Sequence, residues 1–325
     1  MDNIFVGILS EPGYAFYISF APCFLVKSFI LIINKYKWTA AGIGFAILWA
    51  SASTATKIAL EVAQPLVIAQ VRFAMAGIIM LAIGHIFFKS RLPSGTKEWS
   101  QLTIYALLNI TIYLGCYVIA MQEVTAGVGA LAVATNPLFI SFLSIIFLRK
   151  KLKPVVIIAL VLGTAGVVTA SLPLLEDASV TTKGLILLLV GMLSYSLGAI
   201  YFSAKKWNGM SLLVINGWQT MIGGILLLPF TLYNYVPSKN DYDLSFWINT
   251  GWLAIPVSIF AAQLWLWLLQ TNTVRAGLWL FLCPIFGFAI AAPVMGDPIG
   301  IYTICGVLFV MIGLFLARRK QSATA

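Results

Sequence analysis

The chain reads as an all-α integral membrane protein: ten transmembrane helices arranged as two inverted five-helix repeats. Three observations predict it. Of its 325 residues, 61% are hydrophobic and 9% charged, with a mean hydropathy of +0.99. Apolar runs recur from end to end, and the second half of the chain repeats the pattern of the first. A soluble domain of this length would carry far more charge on its surface.

The expected spans are 39–58, 65–88, 99–121, 125–148, 154–173, 184–203, 211–233, 246–269, 274–295 and 300–317. Each is long enough to cross a hydrocarbon core of about 30 Å at about 1.5 Å per residue. Helices are required because backbone groups in lipid must be satisfied within their own segment, and a barrel would show short alternating strands instead. Proline or positive charge marks several boundaries: Pro65, Pro154, Pro298 and Arg149-Lys150-Lys151. Residues 1–37 stand apart. Their apolar stretch at 12–33 contains Pro12, Pro22 and Lys27, and reads as a start-site artefact or as an additional helix. It makes a poor signal peptide, lacking a basic leader and a small-residue cleavage site.

Orientation follows from lysine and arginine. With ten spans, one side receives fourteen: Lys35, Lys37, Lys89, Arg91, Lys97, Arg149, Lys150, Lys151, Lys153, Lys205, Lys206, Arg318, Arg319 and Lys320. The other receives three, Lys57, Lys183 and Lys239, together with most of the acids, among them Glu61, Glu123, Asp241 and Asp297. The positive side is expected to be cytoplasmic, with both ends of the core (including the basic tail 318–325) on it, in a plasma membrane or, for a prokaryote, the inner membrane. The net charge of +10 is thereby a topological signal rather than a nucleic-acid surface.

The repeat is visible on sliding the chain against itself. At a shift of 146, Met75, Gly77, Ile79 and Leu81 fall on Met221, Gly223, Ile225 and Leu227. At 147, Ile112, Leu131, Pro137, Phe139 and Gly166 fall on Ile259, Leu278, Pro284, Phe286 and Gly313. The halves are then 38–173 and 184–317. Because five is odd, the second must enter the membrane from the opposite side, the plan of many secondary transporters, whose sites lie near the midplane between the halves.

Several motifs now resemble a known family, the EamA-type permeases of the drug/metabolite transporter superfamily. They are Trp49-Ala50-Ser51, Ala69-Gln70-Val71-Arg72-Phe73, the mid-helix pairs Asn136-Pro137 and Cys283-Pro284, and Gly296-Asp297-Pro298. The chain departs from the family at Arg149-Lys150, where Gly-Glu is usual, at Ala50 for Gly, at Asp297 for Glu, and at Trp218, the repeat position of Arg72. The resemblance implies a cavity lined by spans 1–4 and 6–9, with spans 5 and 10 peripheral. It also implies substrates such as amino acids, sugars, nucleotides or drugs.

Among candidate site residues Arg72 stands first. A charge deep in a span must face a cavity or a partner. It either holds a substrate carboxylate or phosphate, or is structural, capping backbone carbonyls or pairing internally with an acid such as Glu61 or Glu123. Asn109, Tyr113 and Tyr117 recur every four residues on one face of span 3, suiting a substrate path or a hydrogen-bonded seam. Gln263 and Gln270 flank Trp265 and Trp267 in span 8. Trp49, Asn136, Tyr195, Asn216 and Gln219 complete the set, each with packing as its alternative role. His85, the only histidine, lies near the basic end of span 2 and reads as interfacial.

No cofactor or metal is expected: one histidine excludes a multi-histidine site, and Cys23, Cys116, Cys283 and Cys305 read as packing residues without a CxxC pair. Neither HExxH, a Walker loop nor an intramembrane aspartate pair is present, which argues against an enzyme and an intrinsic ATP motor. Gly163, Gly166, Gly306 and Gly313 suit close packing within the bundle or across a homodimer, leaving both open. The function expected is a secondary transporter, an exporter or exchanger, of small metabolites such as amino acids or drug-like compounds. Its rivals are a sugar or nucleotide-sugar permease and a non-transporting scaffold or receptor. The partners are then the bilayer and a small-molecule substrate. Reporters fused after Lys97 and Lys153 should read cytoplasmic, and those after Glu176 and Asp241 external. An external reading at Lys153 would overturn the topology.

Overall fold

The computed structural model describes residues 22–149, 151–175, 180–295 and 300–319. The chain divides into two compact units, residues 1–41 and 42–325. In the first, the described residues belong to a helix that begins at Pro22. All candidate site residues lie in the second.

Among the described residues the structure is helical throughout, with no strand. The helices are α1 (Pro22–Leu60), α2 (Pro65–Phe87), α3 (Gly95–Ala120), α4 (Ala126–Leu148), α5 (Pro154–Leu175), α6 (Thr182–Ala204), α7 (Leu212–Tyr233), α8 (Leu244–Thr271), α9 (Thr273–Met295) and α10 (Ile301–Arg319). Eight, all but α5 and α10, contain described stretches long and apolar enough to cross a membrane. In α5 and α10 the corresponding stretches are shorter, 154–166 and 304–313. The Gly296-Asp297-Pro298 motif, Lys150 and Glu176 lie outside the described residues, as do positions 1–21 and 320–325.

Local chemistry sets the helix starts. Pro65 opens α2 and Pro154 opens α5, where the missing N–H costs nothing. The side-chain oxygens of Thr125, Thr181, Ser211, Asp243 and Asn272 each accept from the N–H three residues on, capping α4, α6, α7, α8 and α9.

The two halves interlock through corresponding elements. α2 packs along α7, α4 along α9, and α5 along α10; α3 packs on α6 and α7, and α8 on α2. α2 and α7 run antiparallel, since Gln64 before α2 bonds Asn234 after α7, and Arg91 after α2 bonds Asn208 before α7. Missing side chains permit the close approach: a Cβ on Gly223 of α7 would collide with Ile110 of α3. In the α4–α9 pair, Gly287 faces Ala130 while Gly277 faces Ile140. Under the 147-residue shift these two contacts exchange into each other.

Helical regularity breaks at matching places too. α3 holds a π-helical stretch at Leu107–Ile112 and α8 one at Leu253–Ala261, around Pro256. α4 is interrupted just before Asn136-Pro137, and α9 passes through a 3-10 turn, Trp279–Phe281, just before Cys283-Pro284. At Pro137, Pro256 and Pro284 the missing N–H and the crowding of the preceding turn make the helix widen or stop; the α3 stretch contains no proline.

The loops carrying most of the positive charge gather at one end: Arg91 contacts Asn208, and the turn after α6 adjoins the α8–α9 junction. Gly223→Leu should destabilise the protein by about 1–3 kcal/mol, the range for overpacking a filled site. Gly251→Ala, with no atom within 4 Å of the added carbon, should leave the thermal midpoint unchanged.

Candidate functional site

Arg72 lies in mid-α2 with only 3% of its surface exposed. Its Nε donates to Ser258 Oγ of α8 at 2.7 Å. Ser258 in turn donates to the Leu253 carbonyl at 2.9 Å, across the π-helical stretch. The Ser258 carbonyl accepts from Asn216 of α7 at 2.9 Å. Asn216 accepts from Gln219 at 2.9 Å, and Gln219 accepts from Asn109 of α3 at 3.0 Å. A buried polar chain thus runs through α2, α8, α7 and α3, the four helices on which the halves cross. In α3 the π-helical stretch is served likewise: Ser194 of α6 donates to Leu108 O, and Thr111 donates to Gly223 O. Carbonyls released by widened turns find side-chain donors, as buried backbone groups must.

The terminal guanidinium nitrogens make no hydrogen bond to a described residue, and no described carboxylate pairs with Arg72. Glu61 is exposed, and Glu123 is occupied by Lys183 at 2.6 Å and the Thr181 hydroxyl at 2.7 Å. Lys183 and then Thr181 hold the Glu123 carboxyl below its ordinary pKa. Arg72 instead borders a small cavity whose wall includes Trp49, Ser53, Tyr113, Tyr117 and Cys283, with room for about one water.

Aromatic rings continue from that wall. Trp49, Phe45, Trp265 and Tyr195 form a closed circuit with centroid distances of 5.4, 5.0, 5.6 and 5.7 Å. Tyr113 joins it at 4.7 Å from Tyr195, and Tyr117 follows at 6.1 Å from Tyr113. These rings come from α1, α3, α6 and α8, which places both halves around one apolar cluster. Its polar atoms are not all satisfied: Tyr195 Oη and Trp265 Nε1 are buried without a hydrogen-bond partner, and so is Gln263 Oε1.

The sequence candidates therefore divide. Arg72, Trp49, Tyr113 and Tyr117 meet at the cavity, and Tyr195 and Trp265 extend its wall. Asn109 and Gln219 form an interhelical seam. Asn109 shares a four-residue spacing with the tyrosines, but it lies within the π-helical stretch and donates to Gln219 of α7, whereas Tyr113 and Tyr117 line the cavity. Asn136 is fully buried, donates to the Val133 carbonyl and accepts from Ser196, and does not line the cavity. Gln270 lies in a separate cavity of about 420 Å³ at the basic end, with Lys205, Asn208 and Asn272. His85 accepts from Trp218 Nε1 at 3.1 Å and faces Ser90 O through Nδ1 at 2.9 Å, so the proton sits on Nδ1 and neither nitrogen is free for a relay.

Ser53 and Ser258 escaped the sequence reading. The available signal for Ser258 was its repeat position: it is the 147-residue partner of Thr111, beside a mid-span proline. Among the described residues no cluster of three or more metal-ligating side chains occurs.

Comparison with known proteins agrees with this architecture. The profile of the EamA-like transporter family matches twice, over residues 36–172 and 182–319. An uncharacterized transporter of Synechocystis sp. is 24% identical over 84% of this chain and 87% of its own length. Protein PecM of Dickeya dadantii is 27% identical over 83% of this chain and 89% of its own. A chloroplastic WAT1-related protein of Arabidopsis thaliana is 29% identical over 64% of this chain and 51% of its own. One crystal structure superposes with a TM-score of 0.69 at 15% identity, covering 87% of this chain and 96% of that one, a likeness of fold. With the profile matched on both halves, the chain belongs to the EamA-like transporter family.

Proposed function

We propose that the protein is a secondary transporter working by alternating access, with ten transmembrane helices in two inverted repeats and the basic end in the cytoplasm. The antiparallel α2–α7 pair, the exchanging α4–α9 contacts and the matched π-helical stretches support the inverted arrangement. The cargo is a small amphipathic metabolite with an anionic group, carried as an exporter or exchanger.

The observation that carries this reading is Arg72. A buried guanidinium without an ionic partner is costly, by several kcal/mol, and persists where a ligand or cavity compensates it. Here Ser258 fixes one edge of the group and leaves its terminal donors beside an aromatic-lined cavity. A carboxylate or phosphate accepts a bidentate pair from such a fork, and the rings offer a surface for a planar or aliphatic body.

Coupling to protons needs a titratable group that meets both mouths. Among the described residues no carboxylate lines the cavity, and Glu123 is committed to Lys183. Facilitated or exchange transport fits this environment.

Two measurements test the proposal. With benzoate and benzylamine as matched probes of opposite charge, wild-type protein should gain thermal stability from benzoate alone. Arg72→Lys should weaken that response about tenfold, because it retains the charge and loses the fork; Arg72→Gln should abolish it. An equal response in Arg72→Lys would make the arginine structural. In proteoliposomes, flux of any anion selected by this screen should be insensitive to an imposed pH gradient. Concentrative uptake that is lost in Glu61→Gln or Glu123→Gln would establish proton coupling instead.

A further inference from the structure

The cavity beside Arg72 has room for about one water, so a cargo can reach Arg72 only after the surrounding helices part. The contacts that must part are visible at the two ends of the α2–α7 pair. At one end, Gln64 N donates to Asn240 Oδ1 at 2.9 Å, and Asn240 Nδ2 returns a bond to Gln64 Oε1 at 2.9 Å. Gln64 also donates to the Asn234 carbonyl and accepts from Val236 N, at 2.8 and 2.7 Å. Alongside, Asp241 N donates to Val62 O at 2.8 Å. This clasp joins the α1–α2 loop to the α7–α8 loop entirely through uncharged hydrogen bonds.

The basic end carries a counterpart in the corresponding loops of the opposite halves. Arg91 grips both oxygens of Glu98 at 2.8 Å and donates to Asn208 O at 2.8 Å. Asn208 Nδ2 returns a bond to Glu98 at 3.1 Å. Asn208 and Gly209 both have positive φ, 46° and 74°, a tight turn that directs the carbonyl and the amide of Asn208 to the same ion pair. This clasp joins the α2–α3 loop and the start of α3 to the α6–α7 loop, and it is ionic. The two lie about 34 Å apart, the length of the 23-residue α2.

We propose that these clasps are the two gates of the transport cycle: each half-cycle releases one while the other holds α2 and α7 together as a hinge. The inference rests on the alternating-access reading and adds which contacts break. Placement at the mouths makes release reversible, because water replaces each lost hydrogen bond there. The Arg72–Ser258 bond has no such substitute, so the polar chain at the crossing is the part that stays closed. The bonds named for both clasps cross between the halves, except that Arg91, Glu98 and Ser94 bond one another within the first half; Asn240 also donates to Val236 O within its own loop.

The test needs no cargo. Cys283 is fully buried in the cavity wall and reports its accessibility. In a background carrying Cys23→Ala, Cys116→Ala and Cys305→Ala, a membrane-impermeant methanethiosulfonate reagent is applied to either face of sealed vesicles. Gln64→Ala and Asn240→Ala should each speed Cys283 labelling at least about tenfold from the face bearing residue 64 and leave the other face unchanged. Glu98→Gln, and Asn208→Gly, which tolerates the positive φ, should do the reverse, as loss of charge-assisted bonds implies. Labelling raised on the same face by both pairs, on both faces at once, or by neither pair would overturn the gates. Because no transported molecule is involved, such a result leaves the anion-transport proposal to stand or fall on its own flux and binding measurements.

Discussion

Close antiparallel contact between α2 and α7 is the arrangement on which the rest of the site depends. In a bilayer no hydrophobic force drives helices together; they associate through van der Waals contact and internal hydrogen bonds, both of which need short distances. Gly217 of α7 supplies the distance by receiving Leu81 and Met80 of α2, and Gly77 does so on the α2 side by accepting Met221. Once the backbones are this near, Asn216 and Gln219 of α7 can reach the carbonyl of Ser258 and the amide of Asn109, and Ser258 can reach Arg72. Pushing α7 outward would strand the buried amides of Asn109, Asn216 and Gln219 and the Ser258 carbonyl together, so the packing and the polar chain stabilise each other.

The widened turns of α3 and α8 look like local faults and are better understood as donors and acceptors deliberately released. A regular helix consumes its own carbonyls and presents none sideways. In the π-helical stretches Leu108 O, Leu253 O and Ser258 O accept from the side chains of Ser194, Ser258 and Asn216. Polar connections between helices can thus be made with few polar side chains, which matters in a membrane where each added amide or hydroxyl costs transfer free energy.

Much of this was legible in the sequence because lipid enforces strong rules. Apolar length gave the helices, proline and positive charge marked several of their boundaries, and the 146- to 147-residue echo paired the mid-helix prolines of Asn136-Pro137 and Cys283-Pro284. Arg72, Trp49, Tyr113 and Tyr117 were recognisable as an unusual charge and aromatic groups within apolar runs, and they do meet at the cavity. What escaped was register. Four-residue spacing put Asn109 beside Tyr113, but Asn109 bonds Gln219 of α7 while Tyr113 lines the cavity. Small residues were equally silent: Ser258 and Ser53 are ordinary in such a composition, and their importance comes from what the tertiary fold brings within 3 Å of one of them. Asn136 shows the converse, since a polar group in a span suggested a ligand and proves to tie a broken helix to α6 through Ser196.

The contrast between core and ends follows from where water can reach. Inside, the contacts that a moving cargo would disturb are aromatic faces, and dispersion between rings re-forms in many orientations at little cost. Directional polar bonds in the interior are confined to the helix crossings, where loss would leave groups unsatisfied in a low dielectric. At the mouths the order is inverted: Gln64, Asn240, Glu98 and Asn208 make directional bonds that solvent can replace. A protein that opened repeatedly, as proposed, would need its specific, breakable contacts near water and its permissive contacts around the cargo. The distribution here suits that cycle, with Arg72 bordering the cavity beside Ser53, Tyr113 and Tyr117 while Ser258 occupies only one of its edges.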